Sequence, residues 1–147
     1  PNKNSSLHAL KPGQCISVDM LTSPNPGFIA QIVGRLTRRR YNHSTIFVDN
    51  YSGLSFAGVN AHHQNGRAGR RIRLLQDVAR TQLIHASHHW PTVHITPLWP
   101  YALLCANHAI NNTPNMQNNQ RMTPLQLFSS TTVHSNPKDQ QPFACPI

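Results

Sequence analysis

The sequence predicts an α/β fold, with strands near 14–20, 44–49 and 54–59 and helices near 69–86, 98–111 and 123–128. Two observations carry that prediction. The first third holds short β-branched runs with period-two alternation, separated by Pro, Gly, Asn and Ser. From about Gly69 onward the apolar spacing changes to the 3–4 rhythm of helices. The strands fall in 13–57 and the helices in 58–128, between a polar linker at 1–12 and a tail at 129–147.

Cys15-Ile16-Ser17-Val18-Asp19-Met20 alternates, with Ile16 and Val18 on one face, and reads as the first strand. Ser23-Pro24-Asn25-Pro26-Gly27 has turn chemistry and should end it. Thr45-Ile46-Phe47-Val48-Asp49 is the second strand, and Asn50-Tyr51-Ser52-Gly53 the hairpin turn that returns the chain at Leu54. Residues 58–69 read as a His-, Asn- and Gly-rich loop. Ile72, Leu75, Ala79, Leu83 and Ala86 then form one helical stripe, with Arg70, Arg73, Asp77 and Arg80 on the opposite face. Pro97 and Pro100 are tolerable only in the first turn of the next helix. Residues 111–120 form an Asn- and Gln-rich tract that reads as loop. Thr123 is placed to cap a short helix with Pro124 at its first position.

The charge balance is lopsided. Ten Arg and three Lys face four Asp and no Glu, giving a net charge of +9 and a pI near 10.6. Such a surface predicts a polyanionic partner. The absence of Glu excludes any mechanism built on a glutamate base or ligand. Three scattered cysteines, Cys15, Cys105 and Cys145, make no CxxC pair and suit a reducing compartment. No apolar run approaches the length of a membrane span and no signal-peptide pattern opens the chain, so a nuclear or cytoplasmic location is expected. Pro1 and the closing Pro142–Ile147 stretch read as the cut ends of a longer chain.

Two arginine groups are the candidate polyanion contacts. Arg35, Arg38, Arg39 and Arg40 lead into Tyr41, where guanidinium groups would grip phosphates beside a stacking ring. Arg67, Arg70, Arg71 and Arg73 crowd a helix N-terminus, the end where the macrodipole already disfavours cations. A phosphate would relieve that repulsion. His85 and His89 stand four residues apart, a spacing that can chelate a metal, but no Cys, Asp or Glu is near to complete the set, and the helix should end before His89. There is no Walker loop, no GxGxxG and no nucleophile elbow.

Taken in order, the segments resemble the integrase catalytic core of copia-type long-terminal-repeat retrotransposons, within the ribonuclease H-like superfamily. The resemblance rests on Pro12–Asp19, Ile46–Gly53, Asn60–Arg73, Ala79–Thr81, Leu98–Ala102, Asn111–Pro114, Thr123–Phe128 and Pro142–Pro146. It implies an incomplete ribonuclease H-like fold with a remnant mixed sheet, DNA as partner, and a family chemistry in which an Asp, Asp, Glu triad holds two Mg2+ or Mn2+ ions for strand transfer.

By that resemblance Asp19 is the first triad position and Gly69 stands where the Glu belongs. The segment bearing the second Asp is absent, because the chain passes from Ser55 almost directly to the Asn65-Gly66 loop. Asp49 is not a triad member, and is the one nearby acid that could be recruited beside Asp19. Asp19 alone should hold a metal weakly or not at all, so the chain is expected to be a catalytically dead core that contacts DNA without sequence preference. No sequence feature marks an integrase-like oligomer. Two other readings compete: a non-enzymatic basic nucleic-acid-binding protein, and a small His-rich metal-binding module.

Overall fold

The computed structural model describes residues 9–29, 37–58, 66–114, 121–131 and 143–144. Three strands, β1 (Ile16–Gly27), β2 (Tyr41–Asp49) and β3 (Ser55–Gly58), precede three α-helices: α1 (Gly66–His89), α2 (Trp99–Asn112) and α3 (Pro124–Ser129). A 3-10 turn, Thr96–Leu98, leads into α2. Arg35, the 60–64 stretch and most of the tail lie outside the described residues.

The sheet is a meander in the order β1-β2-β3, with both pairings antiparallel. The expected mixed sheet is therefore corrected: among the described residues no parallel strand is present. The hairpin at 50–53 forces the antiparallel sense of β2 and β3. Ser17, Asp19 and Leu21 pair with Val48, Ile46 and Ser44, and these side chains share one face. Ile46 and Val48 are fully or nearly fully buried there. The other face carries Ile16 and Phe56, both about half exposed, so the alternation in β1 points its buried side opposite to Ile16 and Val18.

β1 continues well past its expected end. It runs through Ser23–Gly27, with a register shift between Thr22 and Gly27, where a turn was expected. Proline is tolerated because β1 is an edge strand, whose outer N–H groups need no partner strand. Gly27 lets the strand end lie against α2: a β-carbon there would overlap Pro100 and stand 2.5 Å from Trp99 Nε1. Trp99 Nε1 donates to the Asn25 carbonyl at 2.8 Å, fixing the same corner.

α1 begins at Gly66 rather than 69 and ends at His89 rather than 86. Its stripe behaves as the spacing predicts: Leu75, Ala79 and Ala86 are buried, and Ile72 and Leu83 pack on the core. Ala68, one turn before Ile72, joins them. α1 lies over β1 and β2 and against α2, while α2 covers β3. Strands and helices share a single apolar core, in which truncating the fully buried Leu75 to Ala would cost about 2–5 kcal/mol.

α2 keeps Pro100 in its first turn, as required by the missing N–H. It ends at Asn112, one residue past the expected Asn111 and inside the stretch that also reads as Asn-rich loop, and Asn111 is buried. Asn111 Oδ1 accepts the Ser55 N–H at 3.0 Å and its Nδ2 donates to the Ser55 carbonyl at 2.7 Å. Asn107 Nδ2 donates to the same carbonyl at 2.9 Å. These amides satisfy backbone groups of β3, the second edge strand. α3 is capped as expected, and by a full capping box: Thr123 Oγ1 accepts from Gln126 N, and Gln126 Oε1 from Thr123 N.

Candidate functional site

Two features of the fold bear on function: the surroundings of Asp19 and the distribution of the arginines. Asp19 sits in the middle of β1, opposite Ile46, on the face that α1 covers. Its Oδ1 accepts the Met20 N–H at 2.8 Å. The Asn50 N–H to Cys15 carbonyl bond, 2.8 Å, sets the hydrogen-bonding phase of β1. In that phase Met20 directs its N–H away from β2, toward the outer edge. The Asp19 carboxylate therefore caps one edge amide.

Gly69, in the first turn of α1, faces this carboxylate. A β-carbon on Gly69 would stand 3.3 Å from Asp19 Oδ2. Two residues fifty positions apart in sequence thus meet, one with a carboxylate and the other with no side chain at all.

Asp49 cannot join them. It pairs with Ile16, three residues along the strand from Asp19, about 10 Å away and on the opposite face. Its oxygens are already engaged: Oδ1 accepts from Gly13 N at 2.8 Å, Oδ2 from Ser52 N at 2.8 Å and from Ser52 Oγ at 2.7 Å. The buried Asp49 ties the hairpin turn to the segment preceding β1, so its recruitment as a metal ligand is corrected to a structural role. A Mg2+ or Mn2+ pair does not fit these residues. Hard divalent ions of this kind need several oxygen ligands, and Asp19 offers one carboxylate half occupied by a backbone amide.

The arginines fall into separate groups. Arg38, Arg39 and Arg40 are exposed just before β2. Arg40 lies over the Phe28 ring, 4.8 Å from its centroid, and donates to the Thr37 and Arg39 carbonyls, which holds the segment against the sheet end. The start of α1 lies near the opposite end of β2, because Arg71 donates to the Gly53 carbonyl in the hairpin turn. About 26 Å of strand separates the two ends of β2.

Arg67, Arg70 and Arg71 line one cleft of about 730 Å3 between the start of α1 and the end of α2. Leu74, Val78 and Ile110 form its apolar wall, and among the described residues lining it none is acidic. Arg71 is half buried there; burial first, and then the neighbouring Arg67 charge, lower its pKa from the ordinary guanidinium value. The guanidinium stays charged at any physiological pH. Arg73 is exposed and does not line the cleft.

The histidine pair is better formed than the sequence suggests, since α1 includes both members. The His85 and His89 rings are 4.3 Å apart, and His89 Nδ1 lies 3.0 Å from the His85 carbonyl. Among the described residues no group of three His, Cys, Asp or Glu side chains is placed to hold a metal ion. Nor is any described helix long and apolar enough to cross a membrane. The cleft is not legible in the sequence because α2 closes it with Ile110, far along the chain from the α1 side chains it faces, and the Asp49 cap is not because Gly13 is 36 residues away. No protein-family model, curated protein or solved structure matches this chain.

Proposed function

We propose that this chain is a remnant of a copia-type integrase core that binds nucleic acid through its arginines and does not carry out strand transfer. The observation that carries the reading is the approach of Gly69 to Asp19. The resemblance assigns the third and first triad positions to these two residues, from motifs far apart in sequence. Their meeting across α1 and β1 supports an active-site corner that has kept its geometry and lost two of its three ligands.

Binding is proposed on charge. A net +9 chain with exposed Arg38, Arg39 and Arg40 at one end of β2, and Arg67, Arg70, Arg71 and Arg73 at the other, offers phosphate contacts spread over a span of several base pairs. None of these side chains is held in a base-reading array, so affinity should be indifferent to sequence. The test is a pair of duplexes of equal length and unrelated sequence, titrated at low salt and then offered as strand-transfer donors with Mn2+. Equal affinities without transfer product support the reading. A strong preference for one sequence, or transfer product, contradicts it.

A further inference from the structure

We propose that the cleft between α1 and α2 takes an unpaired nucleotide, its phosphate on Arg67, Arg70 and Arg71 and its base against Leu74, Val78 and Ile110. This inference rests on the nucleic-acid reading and deepens it, from polyanion contact in general to a preference for single strands. Duplex phosphates can be reached by exposed arginines alone, and Arg38–Arg40 are of that kind. The cleft is built differently. It pairs three guanidinium groups with an apolar wall in about 730 Å3, a volume within the range of small-ligand sites and ample for one nucleotide.

Two further features point to an anion with an apolar body. Arg71 is half buried, no acidic residue is among the described residues that line the cleft, and one of its N–H groups is spent on the Gly53 carbonyl. A guanidinium has five donors, so capacity for phosphate oxygens remains. Leu74 is 46% exposed beside these cations, a large apolar side chain that the fold leaves partly in water. A bare phosphate would leave Leu74 in water. A stacked duplex cannot offer its base faces. An unstacked base covers the apolar wall while its phosphate answers the charge.

The test uses the whole chain and fluorescence anisotropy with two 12-nucleotide single strands, one normal and one with every base removed, matched in phosphate number. At equal salt the normal strand should bind about fivefold tighter or more, since burying part of one base against aliphatic side chains is worth at least that factor. Leu74→Asn, on an exposed position and without change of charge, should abolish the difference and leave the salt dependence intact; circular dichroism checks that its helix content is unchanged. Equal binding of the two strands by the parent chain overturns the inference while leaving polyanion binding in place. Retention of the difference in Leu74→Asn overturns it too, by placing the base elsewhere. Failure of both strands and of duplex to bind at low salt overturns the nucleic-acid reading itself, and this inference with it.

Discussion

Gly69 directs its missing β-carbon at Asp19, and an atom in that place would stand 3.3 Å from Asp19 Oδ2. The contact is tight without being prohibitive, because its far partner is the end of a half-exposed side chain. Glycine inside a helix costs about 1 kcal/mol relative to Ala. Gly69→Ala should therefore stabilise the chain, by up to ~1 kcal/mol, with the Asp19 carboxylate turning slightly aside. Urea denaturation measures this. A loss of stability instead would mean that the Met20 N–H bond pins Asp19 rigidly against α1.

Replacing the same glycine by an acid restores no chemistry. Gly69→Glu would supply a second carboxylate near Asp19, yet Asp49 remains about 10 Å away on the other face of the sheet. Two-ion strand transfer needs both the attacking and the leaving oxygen to be stabilised. Neither the parent chain nor Gly69→Glu should yield Mg2+- or Mn2+-dependent end processing or strand transfer. Product from the parent chain that disappears in Asp19→Asn would refute the dead-core reading.

Asp49 should prove structural. Asp49→Ala removes the acceptor for two backbone N–H groups and one hydroxyl, two of the three within the buried turn. Leaving such donors unmatched predicts a loss of about 2–4 kcal/mol. Chemical denaturation of the variant against the parent gives the number, and a change below ~1 kcal/mol would show that water replaces the carboxylate easily.

The corner between β1 and α2 is predicted to be intolerant of bulk. Gly27→Ala forces Pro100 and Trp99 apart, with an expected cost of about 1–3 kcal/mol. It should also weaken the bond from Trp99 Nε1 to the Asn25 carbonyl, visible as a change in the indole N–H resonance. An unchanged melting temperature and resonance would contradict so close an approach.

Along β1, edge amides should differ in protection. Val18 and Thr22 share the outward phase of Met20, but only Met20 has the Asp19 carboxylate as acceptor. Hydrogen exchange at Met20 should be roughly tenfold slower than at Val18, and Asp19→Ala should remove the difference. Equal rates in the parent chain would argue that the cap is not populated.

The parts legible in the sequence were those with local causes. The α1 stripe is written in the 3–4 spacing of Ile72, Leu75, Ala79, Leu83 and Ala86, and the α3 cap in Thr123-Pro124. The helix starts three residues before the apolar spacing predicts, because Gly66 reads as loop, though Ala68 beside it is fully buried. Pro24 and Pro26 signal a turn in the sequence, and only the position of β1 at the sheet edge makes them admissible within the strand. The 111–120 tract hid Asn111, whose amide matters through Ser55, 56 residues earlier. The arginines were recognisable by charge, but their division into a strand-end group and a cleft depends on where β2 begins and ends.

If the arginines at the two ends of β2 meet phosphates, duplex binding must depend steeply on salt. The observed binding constant should fall linearly on a log–log plot, with a slope of about −0.9 for each phosphate neutralised. Neutralising Arg38, Arg39 and Arg40 together by Gln should make the slope shallower by roughly 2–3, and Arg67→Gln with Arg70→Gln should reduce it by up to about 2. A slope near zero for the parent chain, or one that neither set of substitutions alters, would contradict the account.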